Sequence, residues 1–212
     1  TSNSRSSRRT RVSRGTRASV PRAERRRGAI AILSVAGIAV VAYFLDFITK
    51  ELVLANIGEG RSVQVLGEFL QWTFVRNPGA AFSLASGMTW IFTLIALAVT
   101  VAIVVMAPRL RSWWWTLVFG ALLGGVLGNL TDRLFREPGF AEGHVIDFIH
   151  FSFFPAIFNV ADIFIVGSMG LFLILTMLGI ELDGSRHRAS DAADVAAAVD
   201  EVDAESTAEE RA

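Results

Sequence analysis

Four stretches of roughly 20 residues, nearly free of charge, constrain this chain more than any other feature. Residues 28–47 are apolar up to Asp46, and residues 88–107 carry no charge at all. Residues 112–130 are uncharged and open with Trp113, Trp114 and Trp115, an aromatic cluster of the kind found at membrane–water interfaces. Residues 156–180 contain a single acid, Asp162. Each stretch is long enough for a helix to cross the hydrocarbon layer, so the chain is predicted to be an all-α membrane protein with four transmembrane helices. The composition agrees, because the 52% hydrophobic content is gathered into blocks rather than spread through a soluble core. There is no cysteine, which excludes disulfides, thiolate metal sites and a cysteine nucleophile.

Equal numbers of basic and acidic residues, 20 of each, conceal two opposed tails. Residues 1–27 hold ten arginines against the single acid Glu24, and residues 181–212 hold ten acids against Arg186, Arg188 and Arg211. Both are poor in large apolar residues and are expected to be disordered, leaving residues 28–180 as the membrane domain. The first apolar block is too long for a signal-peptide core and no small-residue cleavage site follows it, so it reads as a retained span. Arginines before span 1, Arg109 and Arg111 between spans 2 and 3, and Arg186 and Arg188 after span 4 all favour the cytoplasm. Both termini are therefore expected inside and the two longer connections outside. Arg22, Arg25, Arg26 and Arg27 read first as this topology signal and second as a contact for anionic lipid.

The connection between spans 1 and 2 has its own pattern. Residues 63–66 and 69–75 are separated by Gly67 and Glu68, and Leu70, Trp72 and Phe74 alternate with Gln71, Thr73 and Arg76. Period-two alternation predicts a small extracytoplasmic β-structure between helices 1 and 2.

The unusual polar residues all project to one rim of the predicted bundle. Span 3 runs outward and ends near Arg133, with Gly125, Asn129 and Asp132 on one face. Span 4 runs inward, with Asn159 and Asp162 in its first turns. Asp46 and Lys50 reach the same level at an i, i+4 spacing, and Asn77 and Asp147 lie in the outer connections. A carboxylate against hydrocarbon is costly and is read by default as functional. Two that meet would share a proton, one activating water while the other donates, with neither assigned the proton by sequence. Ordinary roles compete for single residues. Asp46 and Lys50 form the simplest ion pair to end span 1, Asp132 beside Arg133 suits an interfacial ion pair, and Gly120, Gly124 and Gly128 suit close helix packing. His144 and His150 flank Asp147 at a spacing that matches no zinc pattern, so no metal site is predicted. A transporter or channel would place ionisable groups at mid-membrane depth, and spans 2 and 3 have none there. A purely structural membrane protein would leave the shared placement to coincidence.

In order along the chain come Asp46 with Lys50, then Arg76-Asn77-Pro78-Gly79-Ala80-Ala81-Phe82-Ser83, then Gly124-Gly125-Val126-Leu127-Gly128-Asn129-Leu130-Thr131-Asp132-Arg133. Gly143-His144-Val145-Ile146-Asp147-Phe148 and Phe158-Asn159-Val160-Ala161-Asp162 follow. In these motifs the chain resembles the lipoprotein signal peptidases (signal peptidase II), bacterial membrane aspartic proteases. The resemblance implies removal of the signal peptide from diacylglyceryl-modified prolipoproteins, with cleavage before the lipidated cysteine. It implies Asp147 and Asp162 as the catalytic pair, and Asn77, Asn129, Asp132, Arg133 and Asn159 as substrate-binding or supporting residues. It further implies a monomeric protein of the bacterial cytoplasmic membrane, with its site at the extracytoplasmic face and prolipoprotein and membrane lipid as partners. No nucleic acid and no cofactor is implied. Residues 137–142 lengthen the link before Gly143 relative to the family pattern.

Overall fold

The computed structural model describes residues 22–79 and 89–186. The predicted tails beyond these limits, Ala80 to Ser83 of the second motif, and Met88 at the start of span 2 lie outside the described residues, as do the side chains of Arg22 and Arg25. Four helices are long and apolar enough to cross a membrane: α1 (Arg22–Asn56), α2 (Thr89–Met106), α3 (Trp113–Phe135) and α4 (Val160–Met177). A short 3-10 turn, Ala107–Arg109, joins α2 to the approach of α3. A three-stranded antiparallel sheet, in the order β1 (Ser62–Leu66), β2 (Leu70–Asn77) and β3 (Val145–Phe151), sits at the opposite end of the bundle from that turn.

The central element is α3, which is mostly buried, while α1, α2 and α4 turn large apolar side chains outward. Leu33 and Val166 are 71% and 70% exposed, a pattern that water would penalise and hydrocarbon accepts. Glycines let α3 approach both neighbours. A Cβ on Gly120 would lie 2.7 Å from the Cβ of Ile38 in α1, and one on Gly125 would lie 2.6 Å from the carbonyl oxygen of Ala161 in α4. With no hydrophobic drive between helices inside lipid, such close backbone approach is the main source of packing energy. Towards the sheet, Val53 of α1 and Ile57 just beyond it join Phe74, Ile146 and Phe148 in a separate small core.

Three boundaries differ from the sequence reading, each for a physical reason. First, α1 continues to Asn56, well past Lys50, because Asp46 and Lys50 are buried at 0% and 1% exposure and point into the bundle. Their ion pair is present at 2.7 Å, but it does not terminate the helix. Second, α4 starts at Val160 rather than 156, since Asn159 forms its N-cap in a capping box with Asp162. Third, the sheet extends beyond the connection between α1 and α2: its third strand follows α3 and carries Asp147.

Matched glycine substitutions test the helix packing. Gly125→Ala is expected to lower stability by about 1–3 kcal/mol, because the new methyl group meets the α4 backbone. A methyl group on Gly170 would meet nothing within 4 Å, so Gly170→Ala is expected to be neutral or slightly stabilising. Thermal unfolding of the two variants in detergent measures the difference.

Candidate active site

The register between β2 and β3 slips by one residue between Trp72 and Val75, a β-bulge. Beyond the slip, Val75 lies opposite Asp147 and Asn77 opposite Val145, so Asn77 and Asp147 share a face of the sheet. Asn77 Nδ2 donates to Asp147 Oδ2 at 2.7 Å, while its Oδ1 accepts from the backbone N–H of Gly79 at 2.8 Å. Gly79 has φ +94°, and a Cβ there would fall 2.7 Å from the Phe92 ring, so the turn after Asn77 has room for glycine alone. Thr89 at the start of α2 donates to the carbonyl of Pro78 at 2.9 Å and fastens this turn to the bundle.

Gly143 performs the matching task on the other strand. A Cβ there would collide with the carbonyl oxygens of Asp132, Arg133 and Arg136 at the C-terminal end of α3. Its own N–H donates to the Arg133 carbonyl at 3.0 Å. The link that begins after α3 thus docks back onto that helix end and launches β3 with Asp147 four residues later.

Asp162 reaches the same place from α4. Its backbone N–H donates to Asn159 Oδ1 at 3.0 Å, and its Oδ2 accepts from the Asn159 N–H at 3.2 Å. Asn159 Nδ2 then donates to Asp147 Oδ1 at 2.6 Å, so one side chain binds both aspartates. Asn129 Nδ2 donates to Asp162 Oδ1 at 2.9 Å, and Asn129 Oδ1 accepts from Asn159 Nδ2 at 3.1 Å. The structure therefore brings Asn77, Asn129, Asp147, Asn159 and Asp162 into one hydrogen-bonded cluster. Asp147 and Asp162 both line a 670 Å³ cavity whose other walls include Phe158, Ile163 and Val166. A polar floor with apolar sides at a bundle end suits a substrate that is part peptide and part lipid.

Burial pushes the Asp147 carboxyl up to about 7, and the nearby charge of Asp162 adds to the rise; the amides of Asn77 and Asn159 and the charge of Lys50 oppose it. Near neutral pH this carboxyl is thus poised to hold or release a proton, as acid–base chemistry requires. Arg133 is 8% exposed and lies over the Phe92 ring at 5.1 Å. Its Nη1 is buried with no hydrogen-bond partner among the described residues.

Asp132 does not pair with Arg133, as the sequence suggested. Its Oδ2 lies 2.8 Å from Lys50 Nζ and accepts from the Ile146 N–H at 3.3 Å, and its Oδ1 binds Arg136. Arg133 points the other way round the helix, towards α2. Sequence reasoning missed Arg136, although its i, i+4 spacing from Asp132 was visible. His150 stands three residues from Asp147 on one strand and so faces the opposite side of the sheet. Among the described residues no group of three His, Cys, Asp or Glu side chains is placed to hold a metal.

A family model described as signal peptidase (SPase) II matches residues 38–178. The lipoprotein signal peptidase of Leifsonia xyli subsp. xyli is 58% identical over 161 residues, covering 76% of this chain and 74% of that one. Those of Rhodococcus jostii and Mycobacterium tuberculosis are 50% and 47% identical, covering 70% and 71% of this chain and 75% of each relative. A solved structure described as a bacterial membrane enzyme, obtained by the in meso method at 1.9 Å resolution, superposes with a TM-score of 0.59 at 29% identity. It covers 70% of this chain and 92% of the solved one.

The buried ion network gives a stability prediction. Asp132→Leu strips an acceptor from Lys50, Arg136 and the Ile146 N–H at once, leaving a buried ammonium short of partners. A loss of about 3–5 kcal/mol is expected, measured as a lowered unfolding midpoint in detergent.

Proposed function

The chain belongs to the signal peptidase II family, and on that premise we propose that Asp147 and Asp162 form its catalytic dyad. It is an aspartic endopeptidase of the cytoplasmic membrane that removes the signal peptide from diacylglyceryl-modified prolipoproteins, cutting before the lipidated cysteine. The observation that carries the dyad assignment is the shared Asn159, which holds one aspartate through its side chain and the other through its capping box.

Two neighbouring carboxylates do not both ionise cheaply, so the pair keeps one proton. We assign the shared proton at rest to Asp147, whose carboxyl is raised by burial and by the charge of Asp162. Asp162 takes a proton from water as the water oxygen attacks the scissile carbonyl carbon. Asp147 gives its proton to the carbonyl oxygen, forming a gem-diol; collapse returns a proton to the leaving amine and breaks the C–N bond. Asn77 and Asn159 orient the Asp147 carboxyl, and Asn129 orients Asp162. Arg133, packed on the Phe92 ring, is assigned a supporting role through its charge beside Asp147. Substrate acyl chains remain in the bilayer against Ile163 and Val166 while the peptide bond reaches the dyad.

The site is assigned to the extracytoplasmic face and both termini to the cytoplasm. Support comes from the arginines: Arg26, Arg27, Arg109 and Arg111 gather at the bundle end away from the sheet. Residues 1–27 and 181–212 are taken as cytoplasmic tails outside the peptidase domain, 28–180. The protein is proposed to act as a monomer.

Asp147→Asn and Asp162→Asn are each expected to lower kcat at least about 1,000-fold on a diacylglyceryl prolipoprotein while the protein stays folded. Substantial turnover by either folded variant would overturn the dyad. The pH profile supplies a signed test. Activity falls on the basic side as the shared proton is lost, and the Asn77 amide favours the ionised form of Asp147. Asn77→Ala should therefore move the basic limb of kcat/KM to higher pH, by about one pH unit. A limb that stays put or moves down removes Asp147 as the group it reports.

A further inference from the structure

Lys50 is 1% exposed, and its ammonium faces three acceptors: Asp46 Oδ2 at 2.7 Å, Asp132 Oδ2 at 2.8 Å and Asn129 Oδ1 at 2.9 Å. A helix-ending ion pair needs only the first. The third contact leads directly to the dyad. An ammonium has three N–H donors and no lone pair, so Asn129 must turn its oxygen towards Lys50. Its Nδ2 is then forced towards Asp162 Oδ1, where it donates at 2.9 Å. Were the amide reversed, an oxygen would face the carboxylate and a donor would face both the ammonium and Asn159 Nδ2, losing three hydrogen bonds for three repulsions.

Both carboxylate partners of Lys50 also grip the backbone beside the dyad. Asp46 Oδ1 accepts from the N–H of Ala161 at 2.8 Å, one residue before Asp162. Asp132 Oδ2 accepts from the N–H of Ile146 at 3.3 Å, one residue before Asp147. One ammonium in α1 therefore lies one step from the backbone of each aspartate and one amide from a carboxylate oxygen.

We infer that Lys50 is a positioning residue of the catalytic centre: it locks the Asn129 amide so that it donates to Asp162, and it supplies the buried positive charge that the dyad's negative charge is set against. The charged groups around the dyad are Lys50 and Asp46 from α1, Asp132 and Arg133 from α3, and Arg136 just beyond it; α2 and residues 80–88 have no charged residue. β2 contributes Arg76, which pairs with Glu59 instead. Lys50 also favours the ionised state of Asp147, in support of the second part of this role.

The test compares Asp46→Asn with the double variant Asp46→Asn/Lys50→Met, so that the only difference is the ammonium, and no second buried carboxylate is orphaned in α1. Thermal unfolding checks the fold of both. For the double variant relative to the single one, kcat is expected to fall about 100-fold with KM within about three-fold, the loss typical of one preorganised donor system. The basic limb of the kcat profile is expected to move to higher pH, since a cation favouring ionisation is gone. Equal kcat and an unmoved limb would overturn the inference and leave Lys50 a structural ion pair. Should the double variant fail to fold, Lys50→Arg decides. It keeps both ion pairs, so a structural role predicts unchanged kcat, whereas a positioning role predicts a fall of about ten-fold or more because the guanidinium does not reproduce the Nζ–Asn129 contact. The inference rests on the dyad assignment, and the two fail differently: a wrong dyad leaves Asp147→Asn or Asp162→Asn active, while a wrong role for Lys50 leaves them inactive.

Discussion

Charge withdrawn from water at the rim of an apolar bundle must be compensated locally, and this requirement organises the end of the molecule where the chemistry resides. Asp46, Asp132, Asp147 and Asp162 are four carboxylates gathered there, and Lys50, Arg133 and Arg136 are three cations. Glu51, which also touches Arg136, has a side chain 48% exposed and keeps its contact with solvent. Counted formally, these groups are neutral when the aspartate pair carries one proton, the state that the proposed hydrolysis needs. Burial costs several kcal/mol per uncompensated ion, so the neutral arrangement is strongly favoured. The polar network consequently favours one shared proton on the proposed dyad, besides packing the helices.

The same requirement explains the division of labour among the helices. The outer three are held by shape and present apolar surface, while α3 carries small residues inward and its charged residues at one end only. Because α3 touches every other span, its C-terminal turn is where groups from α1, the sheet and α4 converge. Asp132 links α1 to the sheet through its Oδ2, and Asn129 links α1 to α4 with its amide.

Much of this was legible in the sequence, and the limits were physical. Spans were readable because charge-free runs of that length have few other solutions. β1 and β2 were readable because apolar and polar residues alternate along them. β3 was not read as a strand: Val145, Ile146, Asp147 and Phe148 are all buried, so the alternation that marks a half-exposed strand is missing. The run of β-branched and aromatic residues between Gly143 and Pro155 was the remaining signal. The Asp46–Lys50 pair was visible from its spacing, but its continuation to Asp132 and Asn129 depends on how closely α1 and α3 cross. That crossing depends on glycines whose partners no linear pattern identifies. Asn159 was correctly grouped with Asp162, yet its role as the cap, with its side chain turned to Asp147, required the loop before α4 to be seen.

The bulge in β2 sets which chemistry faces Asp147. Continuing the register that pairs Leu70 with Phe151 and Trp72 with Ile149 would bring Arg76 opposite Val145 and move Asn77 to the far side. A permanent cation, not a neutral amide, would then lie beside the carboxyl and favour its ionised form. The single extra residue in β2 therefore acts as a phase selector. It turns a strand whose motif offers arginine and asparagine in succession into one that presents the uncharged member to the reaction and leaves the charged one to Glu59 on the outside. Length in this strand is accordingly a chemical variable: removing the one extra residue of the bulge exchanges the two side chains without altering either.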